Sequence, residues 1–308
     1  MSDAQVAAAL LAQQLINGLT IGLVYALIAL GYTMVYGVIQ LINFAHGEVF
    51  MLGAYLALTA VWLLTAWLGA PPAILLLCGM FALSVVGCAL TGRLIERVAY
   101  RPLRGSPKLT ALITSIGVSF FLQNAVMLLY GSREQSVPEV LPMVSWEVGG
   151  VSVSGMQLLI LAVSAAMMVG LDRFVRRTRT GKAMRACAEN TEAASLMGIS
   201  PDAVIRNTFM LGSGLAAVGG MLFAMNYGSV SFHDGYLAGL KAFTAAVFGG
   251  IGSIPGAMIG GILLGVFEGL AAGYLSSEWK DVFAFGLLVC VLIFRPSGIL
   301  GENLPEKV

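Results

Sequence analysis

The chain has 308 residues, of which 58% are hydrophobic and only 11% are Asp, Glu, Lys or Arg. A soluble domain carries roughly 25% charged residues, so this composition excludes a water-soluble globular fold. The formal net charge of +1 gives no indication of a nucleic-acid partner, and we expect none. The composition predicts an integral membrane protein that contacts lipid and crosses the bilayer several times.

Candidate membrane spans follow one another along the whole chain. A helix needs about 20 mostly apolar residues to cross a bilayer, and the first apolar stretch is long enough to be either strongly tilted or broken. We predict an all-α polytopic bundle of about eight transmembrane helices that forms a single domain over residues 1–308. The apolar stretches cover 8–38, 47–68, 72–92, 109–130, 155–172, 206–228, 241–275 and 282–295.

The stretch 241–275 contains a strong helix-breaking segment. Residues 249–256 hold four glycines and a proline, which interrupt a straight helix. Two short helices that meet at a turn inside the membrane fit this pattern better, although non-helical backbone at that depth needs surrounding protein or a water-filled cavity. We therefore predict a broken helical hairpin near 241–275.

The basic residues are concentrated in two loops. Residues 93–108 hold five and residues 173–207 hold seven, together 12 of the 17 in the chain. Loops rich in Lys and Arg stay in the cytoplasm, whereas the loop 131–154 has one basic and three acidic residues and is predicted to face outward. This pattern predicts an N-terminus outside and a C-terminal tail, after Arg295, inside.

Glycines recur at every fourth position in the last third of the chain. Small residues at this spacing form a groove on a helix and let a second backbone approach closely. The pattern predicts a helix-packing seam, either within one chain or between two copies. The glycines concerned are Gly261, Gly265, Gly269 and Gly273, with Gly18 and Gly22 in the first span.

Polar side chains near the start of the second span are candidate functional residues. Asn43, His46 and Glu48 lie at the predicted cytoplasmic start of this span, and Asn124 lies in the fourth span. Polar or ionisable groups in a membrane either line a transport path or lock two helices together. Both roles stay open, and we regard these four residues as candidates for a translocation path or its gate.

Glu268 is a further candidate for the translocation path because it is the single carboxylate among the regularly spaced glycines 261–273, here called the glycine stripe. A carboxylate at that depth should face the bundle interior and have a partner, for which we expect Asn17, Asn124 or a backbone group. Lys241 lies at the end of a span, and we expect its side chain to extend towards the membrane surface.

Cysteine and histidine contents predict neither a disulfide framework nor a metal site. The four cysteines form no C-x-x-C pair, and the two histidines are far apart in the sequence. The sequence also lacks a phosphate-binding loop of the G-x-x-x-x-G-K-[ST] type. We expect no cofactor in this chain, so any nucleotide that drives the protein binds to another polypeptide.

The second basic loop, residues 173–205, contains a short Ala-rich segment. Residues 186–199 predict a helix that Gly198 ends. Such an element either docks into a groove on a cytoplasmic partner or lies on the membrane surface.

Four segments resemble one family of membrane proteins. Glu192-Ala193-Ala194-x-x-x-Gly198 is similar to the EAA loop of ABC importer permeases, and residues 42–55, INFAHGEVFMLGAY, resemble the signature of branched-chain amino acid permeases. Residues 96–102, ERVAYRP, and 241–253, KAFTAAVFGGIGS, resemble the high-affinity leucine/isoleucine/valine permease subunit.

The resemblance implies a multi-pass permease of the bacterial inner membrane that forms the translocation half of an ABC importer for leucine, isoleucine and valine. The implied partners are a homologous second permease, two cytoplasmic ATPase subunits that bind ATP and Mg and hydrolyse the ATP, and a periplasmic amino-acid-binding protein. The chain itself is then not an enzyme. The residues implied to couple it to the ATPase are Glu192, Ala193, Ala194 and Gly198.

Other functions stay open. Permeases for urea or short-chain amides share the segment Asn-Phe-Ala-His-Gly-Glu, so that segment does not define the substrate. An ion-coupled secondary transporter would use the broken hairpin as its mid-membrane site, although paired ionisable groups are sparse in the spans. An intramembrane enzyme would need a nucleophile and a base at membrane depth, and Ser213 has no histidine near it in the sequence.

Overall fold

The computed structural model describes residues 3–142, 144–295 and 297–301 and consists mainly of helices, which confirms the predicted all-α membrane bundle. The helices are α1 (Asp3–Ile39), α2 (His46–Leu68), α3 (Ala73–Ile95), α4 (Lys108–Tyr130), α5 (Gly155–Arg177), α6 (Arg179–Glu189), α7 (Thr191–Leu196), α8 (Pro201–Tyr227), α9 (Asp234–Gly249), α10 (Ile254–Tyr274) and α11 (Lys280–Phe294). Four short strands are β1 (Gln135–Ser136), β2 (Ser145–Val148), β3 (Val151–Ser154) and β4 (Ser229–Val230).

Seven helices in the described part of the chain are long and apolar enough to cross a membrane. They are α1, α2, α3 with the turns that extend it to Leu103, α4, α5, α8 and α10. Two further helices, α9 and α11, are shorter, with 16 and 15 residues. The eight predicted stretches correspond to these nine helices, because the stretch 241–275 contains parts of both α9 and α10.

Two helices are longer than the apolar stretches that predicted them. α1 is one continuous helix of 37 residues, about 55 Å at 1.5 Å per residue, so it is not broken. α3 runs past residue 92 to Ile95 and continues as a π-helical turn, Glu96–Tyr100, and a 3₁₀ turn, Arg101–Leu103. Hydropathy does not include this extension because it contains several charged residues.

α1 and α8 form the centre of the bundle. Residues 23–30 of α1 and most of the middle of α8 are buried, and α2, α9 and α10 pack against them. α3 and α4 lie at the periphery, where the chain leaves most of their apolar side chains uncovered. These two faces are available to lipid or to another subunit.

The glycine stripe of α10 packs against α1, which runs antiparallel to it. A Cβ atom added at Gly18 would lie 2.7 Å from the carbonyl oxygen of Gly265, and one added at Gly22 would lie 2.9 Å from that of Gly261. A larger side chain at either position would force the two helices apart. The predicted packing seam is confirmed, and it joins two helices of one chain.

α9 and α10 form the predicted broken hairpin, which begins at Asp234 and therefore earlier than residue 241. Gly250, with φ of 109°, and Gly252, with φ of 95°, make the turn, and this left-handed conformation favours glycine. Ser253 Oγ accepts a hydrogen bond of 3.2 Å from Gly256 N and caps the start of α10.

The segment after α11 covers the turn of the broken hairpin. Ile299 N donates to Phe248 O and Leu300 N donates to Gly249 O, both at 2.9 Å. These carbonyls lie at the end of α9, where a helix leaves its last acceptors unpaired. Residues 299–300 therefore satisfy acceptors beside the turn, which lies next to Gly37 near the end of α1.

The two ends of the bundle differ in charge and in secondary structure. Residues 93–108 and 173–207 form one end, here called the basic end, and the loop 131–154 lies at the opposite end. There β2 and β3 form a β-hairpin, β1 pairs with β4, and Gln13 exchanges two hydrogen bonds with Ser152. The sequence analysis did not predict these strands, and the orientation of the two ends in the membrane stays a prediction.

Candidate functional site

Between α1 and α2 the chain turns back into the bundle through residues 40–45, here called the re-entrant segment. After Ile39 the backbone is non-helical over residues 40–45, and α2 begins at His46, whose imidazole lies against Gly31 of α1. Gly31 precedes the end of α1 by two turns, about 12 Å. His46 and Glu48 lie at the start of the second span, as predicted, and this start lies deeper in the bundle than the end of α1. Residues 40–45 are mostly apolar, so hydropathy does not reveal the re-entry.

Side chains from α3 and α4 satisfy the backbone of this segment. The Tyr100 hydroxyl lies 3.1 Å from Ile42 O and 3.2 Å from Asn43 Oδ1, and Phe44 N donates to Ser115 Oγ at 3.3 Å. Tyr100 belongs to the π-helical turn that extends α3, a departure from α geometry that is frequent at functional positions. Sequence reasoning missed both supporting side chains, because nothing in the local pattern links them to residues 42–44.

His46 is tightly packed at the start of α2. It is buried, and its ring meets Tyr32 edge-on with the ring centroids 4.8 Å apart. Its Nε2 has no hydrogen-bond partner among the residues that the structure describes. Gly31 makes room for the imidazole, which a Cβ at that position would overlap. This packing suits a lock between α1 and α2, and a contact with a transported molecule stays a prediction.

The Glu48 carboxylate is buried and only partly hydrogen-bonded. The residue is 1% exposed, and Oε1 accepts a hydrogen bond of 3.1 Å from Ser119 Oγ. Within the described part of the chain, Oε2 has no hydrogen-bond partner and Glu48 makes no ion pair. Oε2 lies against Gly235 of α9. Buried carboxylates in membranes almost always have a partner, so this oxygen is a candidate for contact with a ligand.

A cavity of about 200 Å³ lies beside Ser119. A mainly apolar pocket with a few polar groups is typical of a small-molecule site. Sequence reasoning missed it because its walls come from α1, α4, α9 and the re-entrant segment. Two polar side chains, Ser119 and Gln123, belong to the wall, and the larger apolar side chains are Tyr32, Phe44, Ile116, Phe120, Tyr236 and Leu240.

Glu268 faces the bundle interior, as predicted, and its partner is Lys241. Lys241 Nζ lies 2.7 Å from Glu268 Oε1 and 2.6 Å from Asp281 Oδ1, and the Tyr25 ring centroid is 5.7 Å from the same ammonium group. The expectation that Lys241 extends to the membrane surface is wrong, because this residue is only 6% exposed. The cluster ties α9, α10 and α11 together.

The two asparagines expected beside Glu268 lie elsewhere. Asn17 Oδ1 accepts from Gln13 Nε2 and Gln157 Nε2, both at 3.1 Å. Asn124 is exposed on α4 and donates to Phe120 O of its own helix at 2.7 Å. Asn124 is therefore hydrogen-bonded to neither Glu48 nor Glu268. Its role in a translocation path stays a prediction.

The Ala-rich segment of the basic end forms two helices, and the prediction of one helix over 186–199 is wrong. Asn190, with φ of −157°, separates α6 from α7, and its Oδ1 accepts a hydrogen bond of 3.0 Å from Ala193 N. An asparagine side chain that caps one helix in this way also ends the preceding one. Gly198 (φ 84°) ends α7 as predicted, with Ile199 N donating to Ala194 O at 3.1 Å.

α7 presents an apolar surface to solvent. Ala194 is buried against the bundle, whereas Glu192, Ala193 and Gly198 are exposed. Leu196 and Met197 are 90% and 84% exposed. Sequence reasoning selected the first four residues and missed the last two, although an apolar pair at the end of a short helix in a basic loop was a usable signal. Their roles stay predictions.

A chain of polar contacts links this region to the re-entrant segment. Arg104 pairs with both Asp202, at the start of α8, and Glu96, in the π-helical turn. Arg101 also pairs with Asp202, at 3.0 Å. Tyr100 lies in the same turn as Glu96 and contacts Asn43. The junction of α7 and α8 is thereby connected to the segment that precedes α2.

Comparison with known proteins shows similarity over nearly the whole chain. A model of the permease component of branched-chain amino acid transport systems matches residues 14–292. The chain is 53% identical over 300 residues to the high-affinity branched-chain amino acid transport system permease protein BraD of Pseudomonas aeruginosa, covering 96% of this chain and 97% of that protein. It is 50% identical over 301 residues to the Escherichia coli K12 protein of the same description, LivH, with the same coverage of 96% and 97%.

Proposed function

The chain belongs to the family of permease components of branched-chain amino acid transport systems, and from this premise we propose that it forms the translocation path of an ABC importer for leucine, isoleucine and valine. The observation that carries the proposal is the 53% identity to a permease of that description over 96% of the chain. The protein is a multi-pass inner-membrane protein, consistent with its seven helices that can span a bilayer.

As a permease of a transport system, the chain acts together with other components of that system. We propose a homologous second permease, two cytoplasmic ATPase subunits and a periplasmic amino-acid-binding protein. The uncovered apolar faces of α3 and α4 support contact with lipid and a second permease. ATP and Mg would bind to the ATPase subunits, where hydrolysis takes place, because the sequence of this chain has no phosphate-binding loop.

α7 is the proposed docking element for an ATPase subunit. Its exposed Leu196 and Met197 would each gain roughly 1.5–3 kcal/mol on burial in an apolar groove. Glu192 and Ala193 lie on the solvent side of the same short helix, and Gly198 fixes where that helix ends. These features favour helix-in-groove docking over a helix that only lies on the membrane.

Movement of a docked α7 would reach the re-entrant segment through charged contacts. Asp202 follows α7 closely and is held by Arg104, which also holds Glu96. Two-state elements joined by such networks can transmit a change over a distance. Asn43, His46 and Glu48 then lie where that movement arrives.

Two rival functions have less support. Two carbonyls at the end of α9, those of Phe248 and Gly249, accept hydrogen bonds from residues 299 and 300. Lys241 is paired with both Glu268 and Asp281, and carboxylates that already have a cation are less suited to bind the coupling ion of a secondary transporter. The aromatic and aliphatic walls of the 200 Å³ cavity suit an aliphatic side chain better than urea or a small amide.

Reconstitution tests the proposed function directly. The complex that co-purifies with this chain is placed in proteoliposomes with internal ATP and external binding protein, and uptake of labelled leucine is followed. We expect uptake that requires ATP and survives an ionophore. Uptake that continues without ATP and stops when the ion gradient collapses would contradict the proposal.

Substitution of one residue tests the docking role of α7. Leu196→Ser should reduce co-purification of the ATPase without loss of folding, because the side chain is 90% exposed. Leu275→Ser at the opposite end of the bundle, where Leu275 is 65% exposed, is the matched control. Equal ATPase recovery from the two variants would contradict docking through α7.

A further inference from the structure

We propose that the cavity beside Glu48 binds the transported amino acid, with Glu48 pairing with its α-ammonium group and the apolar walls enclosing its aliphatic side chain. The inference rests on the proposed function and deepens it, because it assigns the chemical groups of the substrate to named residues. Four separate observations support it.

The first observation is the unused oxygen of Glu48. The residue is 1% exposed, Oε1 is bonded to Ser119, and Oε2 has no partner among the described residues. A buried carboxylate without a cation is costly, and folding alone would select against it. An ammonium group is the ligand that best compensates this charge, because it brings both a positive charge and three hydrogen-bond donors.

The second observation is the composition of the cavity wall. The cavity of about 200 Å³ is lined by Tyr32, Phe44, Ile116, Phe120, Tyr236 and Leu240, and it is open on the side where Phe120 and Tyr236 are 57% and 55% exposed. A branched aliphatic side chain is favoured in such surroundings because its apolar surface leaves water. These six side chains are aromatic or aliphatic, so this part of the wall suits the side chain of the substrate.

The third observation is that the polar end of the cavity adjoins Glu48. Ser119 belongs to the cavity wall and donates to Glu48 Oε1. Gln123 lies one helical turn further along α4 on the same wall, and its Nε2 is 3.1 Å from His233 Nδ1. The Gln123 amide is therefore placed to donate to the α-carboxylate while Glu48 holds the α-ammonium group.

The fourth observation concerns how Oε2 becomes accessible. Gly235 covers this oxygen, and Gly239, one turn later on α9, lines the cavity. A Cβ at Gly239 would lie 2.8 Å from Gly47 Cα, so α9 and α2 meet here backbone to backbone. Each helix contributes a glycine to this contact, and a small shift of α9 would open Oε2 to the cavity.

Cysteine chemistry tests the charge at the cavity without relying on transport. Ser119→Cys is placed in a Cys78→Ser and Cys290→Ser background, because both native cysteines are exposed. The purified complex is treated with a cationic or an anionic methanethiosulfonate. We expect the cationic reagent to react faster, and Glu48→Gln to reduce the ratio of the two rates about tenfold.

A control variant and a competition experiment complete this test. Glu147→Gln removes an exposed carboxylate at the opposite end of the bundle and should leave the rate ratio unchanged. Leucine-loaded binding protein with ATP should slow the reaction of Ser119→Cys. The inference would be overturned if Glu48→Gln left the ratio of the cationic to the anionic rate unchanged. It would also be overturned if the rate of Ser119→Cys depended on the acyl-chain length of added phospholipid and not on leucine.

Measurements of leucine uptake distinguish a failure of this inference from a failure of the proposed function. In the same proteoliposomes we expect Glu48→Gln to lower leucine uptake at least about tenfold, while ATPase stimulation by the binding protein persists. Ile116→Phe, which narrows the cavity, should lower leucine uptake more than valine uptake. If the unsubstituted complex takes up no leucine, the proposed function fails. If it does and Glu48→Gln matches it, only the inference fails.

Discussion

Two of the buried glutamates, Glu268 and Glu48, have opposite surroundings. Glu268 and Glu48 are 3% and 1% exposed, so both carboxylates are removed from solvent to a similar degree. Glu268 lies 2.7 Å from the Lys241 ammonium group, which also holds Asp281. Among the residues that the structure describes, Glu48 has only the Ser119 hydroxyl as a partner. The difference is therefore in their partners and not in their burial.

The backbone around the two glutamates differs in the same way. Glu268 lies in the middle of α10, a continuous helix that packs on α1 through glycines. Glu48 lies in the first turn of α2, next to a non-helical segment held by side chains of other helices. A paired charge on a fixed helix stabilises an arrangement of helices, whereas an unpaired charge beside irregular backbone is suited to a ligand or a moving part. Stability and transport should respond separately to changes at these sites.

The largest effect on stability is expected from Lys241→Met. It leaves Glu268 and Asp281 close together without the ammonium group, and breaking a buried pair in this way costs about 3–5 kcal/mol. Thermal unfolding of the detergent-purified complex measures the loss. Lys280→Met is the control because the Lys280 side chain is 41% exposed and its Nζ lies 4.0 Å from Glu268. Equal unfolding midpoints for the two variants would show that Lys241 contributes no more to stability than the exposed Lys280.

Glu268→Gln should have a smaller effect on stability. Lys241 keeps Asp281 as its partner at 2.6 Å, so the variant loses one charge-assisted hydrogen bond, about 1–3 kcal/mol. The same thermal unfolding measurement applies, with the exposed Glu278→Gln as the control. A midpoint no lower than that of the control would show that Glu268 is not part of a stabilising cluster.

Tyr100→Phe tests the segment that holds Glu48 in place. The substitution removes the hydroxyl that lies 3.1 Å from Ile42 O and 3.2 Å from Asn43 Oδ1, at a cost of about 1 kcal/mol. We expect a small fall in the unfolding midpoint and a larger fall in uptake, because the position of Glu48 depends on this segment. Uptake that falls no more than the folded fraction would indicate that Tyr100 only stabilises the fold.

The smallest effect on stability is expected from Glu48→Gln. The amide is nearly isosteric, accepts the Ser119 hydrogen bond and removes an unpaired buried charge, so the unfolding free energy should change by no more than about 0.5 kcal/mol or rise. Thermal unfolding beside Glu268→Gln measures the difference. A Glu48→Gln midpoint as low as that of Glu268→Gln would mean that Glu48 has a stabilising partner after all.

Local patterns in the sequence predicted a large part of this architecture. The four-residue spacing of Gly261 and Gly265 predicted a helix-packing seam, and the structure shows that α1 is its partner. The run from Gly249 to Gly256 predicted the broken hairpin, and Gly198 predicted the end of α7. Each of these features depends on spacing or backbone conformation within a few residues. Such information is local and can be seen in one sequence.

The candidate site depends on contacts between distant segments, and the sequence predicted less of it. Lys241 and Glu268 are 27 residues apart and meet only because the hairpin folds back; Asp281 joins them from α11. Ser119 reaches Glu48 across 71 residues. Asn190 was not recognised as a break because the surrounding alanines favour a continuous helix. Glu48 and Glu268 were both selected as candidates, but their difference appears only once their partners are known.

The most direct test compares uptake and stability in two variants at once. ATP-driven leucine uptake per assembled complex and the thermal unfolding midpoint are measured for Glu48→Gln and Glu268→Gln in the same preparation. We predict that Glu48→Gln keeps the midpoint and loses uptake, whereas Glu268→Gln lowers the midpoint and the complexes that remain folded transport leucine at close to the original rate. Loss of stability in Glu48→Gln together with selective loss of uptake in Glu268→Gln would contradict the assignment of the two sites.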